Sequence, residues 1–485
     1  MARFTFLDYG IFVVYLLASV LIGLLFVKEQ RNLKDYFLAG QSMNSIVVAI
    51  SVLAALFSGI TYLGAPAEVY ANGFWFVLIA LSFFIATPVT NLLFLPFFYN
   101  AKFFTAYQFL EERFSVGIRT LASVLFISRT VIWLALATYA PALALEQVTG
   151  IPLWLTISAT GLLTTFYTTL GGMKAVIWTD VMQFVVLFGG QLAIIILAVS
   201  YVPGGAQGVY EIGRDAGKYA LSFSLDPTIR VTFWGLIIGG AFANLVQMAT
   251  DQVSVQRYLT ATDMATARRS LWIKLALTLP VVSVFYLTGL VLYAFYQTKG
   301  DPVASGLVAS VDQILPYFVV TEMPAGMPGL LVAAIYAASM STISAGLNSM
   351  TSSSLVDIYQ RLYKPDVEEE SQLKLARYIT LGYGVIVTAL AFVVSALGTI
   401  LQASNTIFGL VGGPLLGLFL LGMLSKRANS KGAFLGWLAG FLVLMPIVYL
   451  TKVSFLWYGL IGCLVTWGLG WVFSLLLSDR TKSLK

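Results

Sequence analysis

Thirteen apolar runs, each close to the length of a bilayer crossing, follow one another along the 485 residues with only short polar or Pro/Gly punctuation between them. They fall near residues 7–27, 44–71, 73–98, 117–146, 152–172, 176–200, 229–256, 270–297, 327–355, 375–397, 400–424, 432–451 and 454–478. Backbone N–H and C=O groups find no water in hydrocarbon, so runs of this length must satisfy them internally as helices. The sequence therefore predicts an all-α polytopic membrane protein of about thirteen transmembrane helices. At about 21 residues per crossing these take up about 273 residues, which leaves no room for a sizeable soluble domain. A fused nucleotide-hydrolysing module or a sensor output domain is excluded on that ground. A charged fraction of 10% agrees, since soluble domains carry about 25%.

The formal charge of +6 does not imply nucleic acid, because the basic residues are scattered singly through loops and form no stripe. The chain has one cysteine, Cys463, and no histidine. No intrachain disulfide can form, structural zinc is implausible, and most metallohydrolase and acyltransferase chemistries are removed, so the expectation is a non-enzyme. In the first run Lys28, Arg31 and Lys34 follow the apolar stretch instead of preceding it, so it is expected to stay as a helix and not be cleaved as a signal. Counted over alternate loops, 21 of the 28 lysines and arginines fall on the side that contains Lys28 and Lys426, and six fall on the other; Arg129 lies within a crossing. The positive-inside rule then places the amino terminus outside and the carboxyl terminus in the cytoplasm of a plasma-membrane protein. Trp75, Trp154, Trp178, Trp272 and Trp457 near run ends fit an interfacial belt.

Two runs are poor continuous helices. The second contains Phe57-Ser58-Gly59-Ile60-Thr61 followed by Gly64 and Pro66; the seventh contains Gly239-Gly240 and then the costly amides Asn244 and Gln247. Glycine and serine in membranes also serve close helix packing, so neither run decides alone. Their spacing does more: they are five crossings apart, and because five is odd, crossings two to six and seven to eleven must enter the membrane from opposite sides. Broken helices opening two inverted halves are the best sequence pointer to a midplane site in a secondary transporter. The expected division is an extra helix with its loop over 1–43, repeats over 44–228 and 229–428, and two peripheral helices over 429–485.

In the ninth run, Ala338, Ser341, Thr342 and Ala345 share one helix face. Two adjacent hydroxyls, together with carbonyls freed at a broken helix, could hold a sodium ion; the alternative is that the hydroxyls bond back to their own helix. Asp180, at the start of the sixth run, either caps a helix or lines an ion pathway. Arg129, near the centre of the fourth, needs a cavity, a protein carboxylate or a substrate carboxylate.

The runs LGAPAEVYANG (63–73), YAPALALEQVTG (139–150), FYTTLGGMKAVIWTDVMQ (166–183) and DQVSVQRYL (251–259) resemble the sodium:solute symporter family, particularly its iodide, monocarboxylate and multivitamin branch, over nearly the whole chain. The resemblance implies a five-plus-five inverted-repeat core with discontinuous helices and an extra helix ahead of it. It implies a shared sodium site on the carbonyls of Ala54, Phe57 and Ala338 and the hydroxyls of Ser341 and Thr342. A second sodium site would use Asp180, Ser341 and Ser344, where the next residue, Ala345, brings no hydroxyl. Substrate-contacting positions map onto Ser58, Thr61, Ala80, Asn244 and Gln247, with Arg129 as an added candidate; Ala80 lacks the polar side chain typical of sugar carriers. The expected function is sodium-coupled import, by alternating access, of a small solute such as a monocarboxylate anion, with sodium, solute and membrane lipid as partners and no nucleic acid. The alternatives are a sugar, sialic acid, amino acid or inorganic anion as the solute, or proton coupling through Asp180. A channel would more naturally carry charged rings or filter loops.

Overall fold

The computed structural model describes residues 4–365, 368–394 and 400–477, which are helical apart from connecting loops and one isolated bridge between Met43 and Ala261. Among the described residues nine helices are long and apolar enough to cross a membrane, and the bent pair Ser45–Leu56 and Gly59–Asn72 makes a further crossing. One of the nine, Leu153–Tyr201, has 49 residues. At 1.5 Å per residue it would be about 73 Å long, more than twice the hydrocarbon thickness of about 30 Å. It is two crossings that meet at Gly172, where φ 57° and ψ −159° leave the helix. The shorter apolar helices Gly235–Thr250 and Phe408–Leu424 complete the correspondence with the apolar runs. Residues 395–397 and 478 of those runs, with Arg3, Arg480, Lys482 and Lys485 of the charge count, lie outside the described residues.

The second run breaks where its sequence suggests. Phe57 has φ −95° and ψ 84°, and Ser58 then caps the second half, which turns through 66° from the first. The seventh run corrects the expectation. Gly239 and Gly240 are helical, and Gly239 is needed for close approach, because a Cβ there would lie 2.3 Å from the Leu456 carbonyl oxygen. The chain leaves the helix instead at Asp251 (φ −85°, ψ 122°), which caps the short helix Gln252–Tyr258.

The start of crossing two and the end of crossing seven lie together, with Met43 N–H donating to the Thr260 carbonyl at 3.1 Å. The two broken helices therefore run antiparallel, as inverted repeats require. Crossings two, three, seven and eight pack on one another, and four, five, nine and ten form a second group. Crossing one joins the second group through Asp8, which is fully buried and accepts the Gly326 and Gly329 N–H groups at 2.9 and 2.8 Å at the start of crossing nine.

The Gly172 turn sets where crossing six begins and hence where Asp180 lies. Its backbone region is essentially restricted to glycine, and a Cβ there would meet Gln30 Oε1 at 2.7 Å and the Tyr36 carbonyl at 2.9 Å. Gly172→Ala should cost about 1–3 kcal/mol and lower the thermal midpoint in detergent. A midpoint equal to that of the unsubstituted protein would mean that the turn is not held as described.

Candidate functional site

The site starts from the interrupted backbone of crossing two. Helix ends leave carbonyls without intrahelical partners, and in a bilayer water cannot serve them. Ala54 O takes the Phe57 N–H at 3.2 Å, and Ser341 Oγ of crossing nine donates to the same carbonyl at 3.0 Å. The next residue, Thr342, donates from Oγ1 to Ala338 O one turn back in the same helix at 3.1 Å. The structure thus brings together the broken strand of backbone and the hydroxyl-rich face, and all five residues are buried. Ser341 reaches across to the freed carbonyl, whereas Thr342 bonds back to its own helix, the alternative that its sequence left open. Among the described residues no group of three His, Cys, Asp or Glu side chains could hold a metal, so an ion here would be held by neutral oxygens.

A cavity of about 280 Å³ opens immediately beyond the break. Ser58, Thr61, Asn244 and Gln247 line it, with Trp133, Tyr286 and Phe408 among its aromatic walls. Ser58 Oγ accepts from the Thr61 N–H at 3.3 Å, so the residue that caps the second half-helix also faces the cavity. The Asn244 amide donates to Ser82 Oγ at 2.7 Å, which turns its carbonyl oxygen into the remaining free group. At the far end Arg230 grips Glu68 with two bonds of 2.5 and 2.7 Å. Ala80 is buried and is not part of the lining.

Arg129 is placed differently from the expectation that it meets substrate. It lies one helical turn from Trp133 but behind the wall, with Nη2 2.5 Å from Asp251 Oδ2 and the guanidinium 4.3 Å from the Phe408 ring centroid. Of the partners open to it in sequence, the structure gives it the protein carboxylate. Asp180 is likewise paired: Oδ2 accepts from Arg257 Nη2 at 2.9 Å and from Ser51 Oγ at 2.5 Å, while Oδ1 has no hydrogen-bond partner. Ser344 Oγ donates to the Ser341 carbonyl at 3.1 Å. Arg257 and Asp251 escaped sequence reading because DQVSVQRYL looked like the end of a crossing and its loop. The available signal was the alternation of Asp251, Gln252, Gln256 and Arg257 on a short helix after a break.

The same short helix is strapped to crossing nine by Gln252 and Gln256, whose amides reach Ser352 Oγ at 3.3 Å and Asn348 Oδ1 at 2.8 Å. Farther toward that side Arg119 bridges the buried Asp357 and Glu111, both at 2.7 Å. Burial works against ionisation of Glu111, but bonds from Arg119 and Arg361 outweigh it and hold its carboxyl below the ordinary value. The side of the cavity toward residues 251–263 is closed by paired charges, and the side toward Glu68 by one pair.

Residues 36–440 match the family model described as the sodium:solute symporter family. The chain is 38% identical over 450 residues to the sodium-coupled monocarboxylate transporter 1 of Xenopus laevis, covering 91% of this chain and 71% of that protein. It is 37% identical over 448 residues to the sodium-dependent multivitamin transporter of Oryctolagus cuniculus, covering 91% and 70%. A solved substrate-bound, outward-open sodium-coupled sialic acid symporter superposes with TM-score 0.90 at 33% identity, covering 98% of this chain and 99% of that one.

If Arg129 serves to neutralise Asp251, removing it strands a buried charge. Arg129→Met should therefore destabilise by about 3–5 kcal/mol, and adding Asp251→Asn, which keeps the cap on Val253, should recover most of the lost thermal midpoint. A double variant no more stable than the single one would assign Arg129 another role.

Proposed function

The chain belongs to the sodium:solute symporter family, and from that premise we propose that it imports a small monocarboxylate with sodium by alternating access. The observation that carries the reading is the 3.0 Å contact between Ser341 Oγ and the Ala54 carbonyl, three residues before Phe57, where the helix breaks and opens on the cavity. Sodium bound by the Ala54, Phe57 and Ala338 carbonyls and the Ser341 and Thr342 hydroxyls ties the bent helix of one group to crossing nine of the other. The solute sits between crossings two and seven, against Ser58, Thr61, Asn244 and Gln247. A volume of about 280 Å³ lies below the about 300 Å³ at which sites for drug-sized ligands begin, which suits a small solute. The relatives named for monocarboxylates support that class.

The charge balance supports the amino terminus outside, so that the cavity opens outward and the paired charges near residues 251–263 close the cytoplasmic side. Loss of sodium inward unties crossing two from crossing nine and releases both ligands. Arg257 and Ser51 engage only Oδ2 of Asp180 and leave Oδ1 without a partner, so sodium and proton coupling are separated by experiment: uptake driven by a pH gradient with sodium absent would favour the proton.

Energetics favour a second ion. With an assumed tenfold sodium gradient and 100 mV, one sodium supplies about 1.4 plus about 2.3 kcal/mol. A monoanion cancels the electrical part and gains only about tenfold; two sodium ions restore about 5 kcal/mol. The unpartnered Asp180 Oδ1, with Ser341 and Ser344 on the adjoining helix, is the group such an ion would use.

Because coupling between two ligands is reciprocal, Ser341→Ala with Thr342→Ala should raise the sodium concentration for half-maximal uptake at least tenfold and weaken solute binding with it. Uptake into proteoliposomes with unchanged sodium dependence would remove the site assignment. Flux ratios should give two sodium ions per monocarboxylate and an inward current, and Ser344→Ala should lower the ratio toward one; an electroneutral unsubstituted protein would refute the second site.

A further inference from the structure

Four basic side chains are buried among the described residues: Arg119, Arg129, Arg257 and Lys274. The three arginines each meet a carboxylate. Lys274 in crossing eight does not. Its Nζ donates to Met248 Sδ at 3.4 Å and lies 3.8 Å from the Phe83 ring centroid, and no carboxylate of the described residues is within ion-pairing distance. The sequence count had put Lys274 among the loop charges; the structure puts it inside the helix Met264–Lys299, fully buried.

Its place is informative. Phe83 follows Ile79 by one helical turn and Met248 follows Asn244 by about one, and both Ile79 and Asn244 line the cavity. Met248 also directly follows Gln247 of the lining, so Lys274 lies just beneath the cavity, toward the side closed by Asp251 and Arg257. The cavity meets a carboxylate with neutral groups, because Arg230, the cation of its lining, is already committed to Glu68. A buried cation without an anion is costly, and an intramembrane charge that the fold does not neutralise points to a partner that comes and goes. Met248 is suited to give way, since a thioether is flexible and makes a weak acceptor.

We propose that Lys274 is a relay site for the solute's carboxylate, occupied after the anion leaves the cavity and before it reaches the cytoplasm. This rests on the monocarboxylate reading above. When the floor between Asn244 and Met248 yields, the carboxylate exchanges neutral donors for the Lys274 ammonium, with Phe83 holding the lysine head in place until the anion arrives.

The test uses purified protein in proteoliposomes with radiolabelled pyruvate, butyrate and nicotinate. Lys274→Met should keep sodium-dependent equilibrium binding within about threefold while sodium-driven uptake falls at least tenfold, and Lys274→Arg should keep at least a third of the uptake rate. Uptake by Lys274→Met within twofold of the unsubstituted protein would overturn the relay, as would a loss of binding in proportion to the loss of uptake. Should Lys274→Met fail to give a monodisperse protein, Lys274→Gln is judged by the same criteria. Failure of the unsubstituted protein to bind or take up any of the three acids would instead remove the monocarboxylate reading, and the relay with it.

Discussion

A helix interrupted inside a bilayer must have its freed carbonyls served by something other than water, and the rest of this structure is arranged around that requirement at Phe57–Ser58. Ser341 reaches across to the Ala54 carbonyl, and Ser58 caps the resumed helix with its own side chain. In the function proposed above, the same two side chains would face the two ligands, Ser341 the ion and Ser58 the solute. The packing follows from this: crossing nine, which brings Ser341 and Thr342, is buried along nearly its whole length and is capped at its start by Asp8 of the extra first helix.

Alternation needs contacts that can be exchanged at little net cost, and buried ion pairs are of that kind. Desolvation of the two charges largely cancels their attraction, so a pair that parts into water loses less than its short distance suggests. Arg129–Asp251 joins crossing four to crossing seven, which belong to different packing groups, and Arg257–Asp180 joins crossing seven to crossing six. Both meet on the short segment 251–258, so movement of that one segment would release both. Arg119–Asp357 joins crossings four and nine of the same group and is placed to stay intact. On alternation, the side toward residues 251–263 would then hold a moving latch and a fixed brace, and the side toward Glu68 the single pair Glu68–Arg230.

The number of crossings, the break in crossing two and the hydroxyl face of crossing nine were all legible in the sequence, because each is a local pattern of polarity or of helix-breaking residues. The second break was misplaced for a physical reason. Gly239 and Gly240 look like a helix breaker in sequence, yet the neighbouring Leu456 backbone requires a missing side chain there, and nothing in the local sequence distinguishes absence for packing from absence for bending. The charged partners were hidden in another way. Arg129 and Asp180 were visible as anomalies within apolar runs, but Asp251 and Arg257 are 122 and 77 residues away in sequence and sit where a cytoplasmic loop is equally well formed. Lys274 was lost to the same ambiguity, since it stands four residues after the apolar run begins at 270 and so reads as a flanking charge, although the helix itself begins at Met264.

If the solute is the monocarboxylate proposed above, the adjacency of Phe57 and Ser58 gives a reason for a cation to drive an anion. Consecutive residues lie 3.8 Å apart at their Cα atoms, so an ion on the Phe57 carbonyl and a carboxylate at Ser58 would be about 4–5 Å apart. At an effective dielectric constant of about 20 that attraction is about 3–4 kcal/mol, at or above the about 1–3 kcal/mol typical of coupling between sites. No further cation is then needed in the cavity while sodium is bound, which fits a lining whose single arginine is spent on Glu68. The attraction becomes a liability at release, because an anion held by sodium must not be stranded when the ion departs. In the relay proposed for Lys274, a fixed ammonium beneath the cavity would take over the charge at the step where sodium gives it up.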